Sequence, residues 1–389
     1  MDFLRVSYRL EVDPTRAEER AEGIALEQTV EVPRAVVARE PRIEREILGR
    51  VESVERIEEG ASLATIAYPL AATNSDPGQL LGVLYGNSSL QPDVQCLDFE
   101  APAALCEALR GPRFGLEGFR VRTGGEERAL TCSVVKPLGH TPEALADLLR
   151  QFARAGIDVV KEDQGLADNP FCPFEARVRA CRAAVLEVAD ATGHRVLYAP
   201  NLIGTPSRVF EQLHIAESLG ADAVMASPML IGLPTFWELV QERASVPVMA
   251  HPCLGGALRF SRELLFGKLL RLYGADAVIF VSHGGRFGPS RESCARIAAS
   301  LRDPWHGLRP SLPVPGGGLQ LENAAEAVDF YGRDTMLLVG GSLQLEEGML
   351  EKRSRELVEA VAEASERPSR RASGSGTRSP TSRRHRSGP

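Results

Sequence analysis

The sequence predicts an α/β protein, a (β/α)8 TIM barrel preceded by a small α+β N-terminal domain. Three observations carry that expectation. After residue 122, eight short apolar runs alternate with helix-patterned segments. The runs are apolar along their whole length, as in strands of a parallel sheet covered on both faces. Eight strand–helix units over roughly 240 residues match the size of a closed barrel. A doubly wound open sheet is the alternative, but its first strand lacks the GxGxxG turn that would bind a dinucleotide.

In chain order, FLRVSYRLEV, IALEQTVEV and SLATIAYPL read as strands. DPGQLLGVLYG places Asp76 at a helix cap and Pro77 at the first helical position. VQCLDFEA reads as a strand and APAALCEALR as a helix, completing an N-terminal domain over 1–122. The barrel, over 123–365, takes its strands from LTCSVVKP, IDVVKED, HRVLYAPN, ADAVMASP, VPVMAHP, ADAVIFVSH, SLPVPGGG and TMLLVGGS. Three of the joins repeat one another: AGIDVV, GADAVM and GADAVI. In each, glycine ends a helix, aspartate turns and a buried strand begins.

The last segment, 366–389, is expected to be a disordered basic tail. From Arg367 on it holds seven arginines and no acid, and it lacks apolar periodicity. With a whole-chain charge of -7, the rest is near -14, which argues against a nucleic-acid groove. No run of about 18 apolar residues predicts a membrane span. The N-terminus lacks a signal-peptide core, and seven scattered cysteines without a CxxC pair suit reduced thiols. A cytoplasmic protein is expected.

Functional residues of such a barrel lie at the C-terminal ends of its strands. Those ends hold Lys136, then Lys161, Glu162, Asp163 and Gln164, then Asn201, His251, and the loop from His283 to Arg286. A lysine held partly desolvated near the barrel axis is able to act as a base or to react with CO2; the competing reading is a side chain reaching solvent. Asp163, two residues beyond Lys161, offers a hard oxygen ligand suited to Mg2+. Gly317 and Gly318 after strand seven, with Gly340 and Gly341 after strand eight, read as a phosphate cradle or as plain tight turns.

The order IAYPL…GN, VVKPLG, VVKEDQ, the His251 strand end, a glycine-flanked basic loop and two glycine strand ends resembles the ribulose-bisphosphate carboxylase (RuBisCO) large subunit, over all but the tail. The resemblance implies that Lys136 is the proton-abstracting lysine and Lys161 the lysine carbamylated by CO2. It puts Lys161, Asp163 and Gln164 at the metal, with a glutamine where the family has a glutamate. It makes His251 an active-site histidine and Arg286 the counterpart of a loop lysine. It gives Gly317, Gly318, Gly340 and Gly341 one phosphate. Glu27 and Asn87 match N-terminal residues that reach into a partner's barrel, so a homodimer or larger assembly is implied.

The departures from that family point away from carboxylation. The second lysine after Lys136-Pro137 is missing, and Pro252, Ile279 and Gly316 stand where the family holds a second phosphate. A dianion buried against such residues would lack donors. The expected substrate therefore has one phosphate and a less polar far end, as for RuBisCO-like proteins of form IV acting on methylthio-sugar phosphates. The expectation is Mg2+-dependent enolisation or isomerisation of a phosphorylated ketose. The alternatives are a decarboxylase or transcarboxylase on a phosphorylated keto-sugar acid, and a non-catalytic sugar-phosphate-binding homologue. The last is kept open by Gln164, which removes a charge from the metal site.

Overall fold

The computed structural model describes residues 2–125, 127–285 and 288–367. Arg286 and the expected tail beyond residue 367 lie outside the described residues.

The N-terminal part is built on an antiparallel sheet in the order β2-β3-β1-β4, with β1 Phe3–Leu10, β2 Arg50–Glu58, β3 Ala61–Pro69 and β4 Val94–Glu100. Alternation along β1 puts Leu4, Val6, Tyr8 and Leu10 on one buried face. IALEQTVEV corrects the sequence reading: it is not a strand, and its start completes a helix over Ala17–Glu27. The reason is spacing, since Ala17, Ala21, Ile24 and Ala25 form a single buried helical face against β2 and β3. The helix Pro77–Tyr85 forms as expected, with Asp76 accepting from the Gly78 and Gln79 N–H groups.

All eight apolar runs form strands: β5 Leu130–Val135, β6 Val159–Glu162, β7 Leu197–Ala199 with β8 Asn201–Leu202, β9 Val224–Ala226, β10 Val248–Ala250, β11 Ala277–Val281, β12 Leu312–Gly316 and β13 Met336–Leu338. They pair in two parallel sheets, β12-β11-β10-β9-β8 and β13-β5-β6-β7. The third run is split at Pro200, so β7 joins one sheet and β8 the other. β12 and β13 pack side by side with no ladder between them among the described residues. Leu312 N–H donates to Asp276, and the Gly316 carbonyl accepts from Ser282, so these β12 residues face β11. Pro313 and Pro315 face the other way and have no N–H to give. The Thr335 hydroxyl reaches the Pro313 carbonyl instead, at 3.1 Å.

The strands are buried on both faces. Val135, Val160, Tyr198, Val224, Val248, Val278 and Leu337 pack outward into the large core shared with the helices. Their neighbours Cys132, Val159, Ala199, Met225, Met249, Ile279, Val314 and Leu338, drawn from both sheets, form one inner cluster. The three repeated joins behave alike. Gly156, Gly220 and Gly274 take positive φ of 89°, 79° and 100°. Each following aspartate is buried and ties its strand to a neighbour: Asp158 accepts from Arg128 and Thr131, Asp222 from Arg182 and Arg195, and Asp276 from the Gly115 and Val248 N–H groups. Among the described residues no helix is long and apolar enough to cross a membrane.

Candidate active site

Strand alternation sets which side chains reach the space above the inner cluster. Val159 belongs to that cluster, so Lys161, two residues on, faces the same way. The same parity carries Cys132 to Lys136, Met249 to His251, Val314 to Gly316 and Leu338 to Gly340. Lys161 lies in register with Val134 on one side and Ala199 on the other, in the middle of its sheet.

Lys161 is 3% exposed, and its Nζ donates to the Glu162 carbonyl at 3.0 Å. Burial lowers its pKa, and the positive charge of Lys136 lowers it further; Cys132 and Asp163 oppose the shift. That direction makes the neutral amine, the form that attacks CO2 or accepts a proton, more accessible than in a free lysine. His251 is pushed down to about 3, chiefly by burial and then by the charge of Lys161. Its Nδ1 accepts the Cys253 N–H at 3.2 Å, which leaves the ring proton on Nε2. Lys136, Lys161, Asp163 and His251 therefore form one electrostatically linked group at the strand ends.

The four glycines divide into two pairs. A Cβ at Gly340 or Gly341 would lie 3.4 Å from Lys136 Nζ, so these bare positions adjoin the lysine amine. A Cβ at Gly318 would come within 2.5 Å of Gly285 Cα, and Gly317 has φ +73°. The second pair is thus bare for a backbone reason of its own, the packing of two loops.

Glu27 and Asn87 are joined, Asn87 Nδ2 donating to Glu27 Oε1 at 2.9 Å. The adjacent Gln28 holds them together, donating to the Gly82 and Val83 carbonyls and accepting the Ser88 N–H. Both lie on the N-terminal part. Among the described residues no hydrogen bond or ion pair links them to the lysine group.

Asp163 accepts the Gly165 N–H at 2.9 Å, and the Gln164 carbonyl accepts from Asn201 Nδ2 at 3.1 Å. Among the described residues no group of three or more His, Cys, Asp or Glu is gathered to hold a metal. Glu162 is turned away behind the sheet, paired with Arg177. A cation here would draw a carboxylate oxygen from Asp163, an amide oxygen from Gln164 and, once Lys161 has reacted with CO2, a carbamate oxygen. Three hard oxygens suit Mg2+, and the buried amine of Lys161 suits carbamate formation.

One residue escaped the strand-end reading. Ser227 follows Met225 with inner parity, is 2% exposed, and has a buried hydroxyl without a hydrogen-bond partner. Applying the alternation to ADAVMAS would have found it. Ser342, which the strand-eight end GGS already held, also buries an unpartnered hydroxyl.

Comparison with known proteins places this geometry among relatives. Residues 118–344 match the family described as ribulose bisphosphate carboxylase large chain, catalytic domain. The chain is 44% identical to ribulose bisphosphate carboxylase-like protein 1 of Rhodopseudomonas palustris, covering 87% of this chain and 92% of that protein. It is 41% identical to the 5-methylthioribulose-1-phosphate isomerase of Rhodospirillum rubrum, covering 94% and 98%. The crystal structure of a Rubisco-like protein from Rhodopseudomonas palustris superposes with a TM-score of 0.86 at 40% identity, covering 93% and 98% of the two chains.

Proposed function

The chain belongs to the ribulose bisphosphate carboxylase large-chain family, and from that premise we propose that it is a RuBisCO-like enzyme. It isomerises a phosphorylated ketose of the 5-methylthioribulose 1-phosphate type by Mg2+-dependent enolisation, without fixing CO2. The two parallel sheets are read as one closed eight-stranded barrel, because strands of both supply the single inner cluster. The barrel domain is read as 123–365 behind an N-terminal domain of 1–122. The helix Gly115–Thr123 sits at this boundary, since its Phe119 already belongs to the inner cluster.

The observation that carries the reading is the coupled group of Lys136, Lys161, Asp163 and His251 above that cluster. Lys136 takes the proton from the carbon beside the substrate carbonyl. Neutral His251 offers its Nε2–H to a substrate oxygen. Lys161, once carbamylated, would hold Mg2+ together with Asp163 and Gln164, and the ion would supply positive charge where the oxygen turns negative. The bare backbone at Gly340 and Gly341 leaves room beside Lys136 for the single phosphate, with Gly317 and Gly318 at its edge. At the positions where the family holds a second phosphate, Ile279, Gly316 and Pro252 offer no side-chain donor, and Ile279 is packed within the inner cluster. The return of the proton to the neighbouring carbon completes the isomer.

Glu27 and Asn87 are read as completing the site of a partner subunit in a homodimer, and Arg286 as closing over the substrate. The supporting relative is the isomerase from Rhodospirillum rubrum. The test is an assay of the purified protein on a panel of ketose monophosphates that includes 5-methylthioribulose 1-phosphate. Turnover is expected for the wild type and not for a folded Lys136→Ala variant. A folded wild type inert on the whole panel would favour the binding-only alternative.

A further inference from the structure

Between Lys161 and Asp163 stands an acid that the proposed chemistry does not use. Glu162 is fully buried, and its side chain turns away from the strand-end group. Its Oε1 accepts from Arg177 Nε at 2.6 Å and from the Tyr198 hydroxyl at 2.5 Å; its Oε2 accepts the Asn201 backbone N–H at 2.9 Å. Two of the three residues it holds, Arg177 and Asn201, then reach the same loop. Arg177 Nη1 donates to the carbonyls of Ala167 and Cys172, each at 2.9 Å. Asn201 Nδ2 donates to the carbonyls of Gln164 and Leu166, at 3.1 and 3.2 Å. Four carbonyls between Gln164 and Cys172 are thus gripped by two side chains, both anchored on one carboxylate.

We propose that Glu162 is a positioning residue. Through Arg177 and Asn201 it clamps the loop that follows β6 and so fixes the place of Asp163 and Gln164 beside Lys161. The proposal rests on the metal reading above only for what the loop carries. The loop needs such a clamp because it has little regular structure of its own: one isolated bridge joins Asn169 and Cys172. The clamp is built on a buried charge pair that is hydrogen-bonded through Arg177 Nε and Nη1, while Arg177 Nη2 and Asn201 Oδ1 have no partner among the described residues. Arg177 and Glu162 are both 0% exposed, and a buried pair with several hydrogen bonds holds a unique arrangement. Its parts are spread over β6, the helix Phe174–Thr192 and the third apolar run, which makes it a link between three elements.

Removing one charge alone would strand the other in the interior. The test therefore uses two variants: Glu162→Gln/Arg177→Met, which removes both charges together, and Asn201→Ala, which removes two of the four grips and leaves the ion pair intact. Amide hydrogen exchange and Mg2+ titration without substrate are measured on the full chain. In each folded variant, exchange across 163–172 is expected to quicken at least tenfold while β10 and β11 stay protected. The Mg2+ dissociation constant is expected to rise at least tenfold, and excess Mg2+ to restore kcat. If the double variant does not fold, Asn201→Ala carries the test alone. Unchanged loop exchange in a folded variant would overturn the proposal, as would faster exchange with unchanged Mg2+ affinity. If the wild type itself binds no Mg2+, the metal reading fails, and loop exchange alone then decides for or against the clamp.

Discussion

Gly318→Ala and Gly341→Ala place the same methyl group in adjacent glycine clusters and should fail in different ways. At Gly318 the new carbon would meet Gly285 Cα at 2.5 Å and Gly285 N at 2.9 Å, both backbone atoms with no flexible end to swing aside. One loop must move, and overpacking of this kind costs about 1–3 kcal/mol. At Gly341 the nearest atoms are Lys136 Nζ at 3.4 Å and Cε at 3.5 Å, the mobile end of a long side chain. The fold should hardly notice. The phosphate should, because the methyl occupies the space beside the amine where the backbone is to meet the anion. Losing one hydrogen bond to a charged group is worth about 1.5–3 kcal/mol, or about ten- to a hundredfold in KM. Thermal denaturation and steady-state kinetics on 5-methylthioribulose 1-phosphate separate the two. A Gly341→Ala variant with unchanged KM would refute the phosphate assignment at that cluster. A Gly318→Ala variant as stable as the wild type would refute the packing argument at the other.

Three further outcomes follow from the same geometry. His251 has its pKa lowered from 6.5 to about 3, so the unfolded chain binds a proton that the folded one refuses. The stability tied to neutral His251 is present above pH 6.5 and is lost progressively as pH falls toward 3. His251→Gln should flatten that part of the unfolding free-energy profile between pH 6.5 and 4, and an unchanged slope would contradict the burial argument. Gln164→Glu returns a charge to the ligand set and should tighten Mg2+ binding in titration calorimetry; no change would remove Gln164 from the metal. The Glu27–Asn87 pair is read as serving a partner's site, so sedimentation should show at least a dimer, and activity should fall with dilution as the dimer dissociates. A monomer fully active at nanomolar concentration would refute that.

Much of this was legible in the sequence because the signals were local. Eight apolar runs marked eight strands, and reading their ends singled out Lys136, Lys161 and His251, of which the fold brings Lys136 and His251 within electrostatic reach of Lys161. The misses have physical causes. β2 was passed over because its residues are mostly exposed, so it shows no apolar alternation. The helix Ala17–Glu27 was mistaken because a short apolar stretch fits either period until its partners are known. The split at Pro200 depends on which sheet each half joins. Glu162 stood in plain view at the end of β6, but its meaning lies in Arg177, Tyr198 and Asn201, which come 15 to 39 residues later and meet it only in the fold. The glycine clusters looked equivalent as strings, and their division into a packed pair and a pair beside Lys136 needed coordinates.

The central claim is that Lys136 removes a proton beside the carbonyl of a ketose monophosphate and that the resulting carbanion is not offered to CO2. Solvent exchange tests it most directly. The protein is incubated in D2O with Mg2+ and 5-methylthioribulose 1-phosphate, and deuterium entry at carbon is followed by NMR, alongside ribulose 1,5-bisphosphate with labelled CO2. The account predicts Mg2+-dependent exchange and isomer formation with the monophosphate, neither of them in Lys136→Ala, and no label fixed from the bisphosphate. Absence of exchange in active, folded protein, or label incorporated into the bisphosphate, would contradict it.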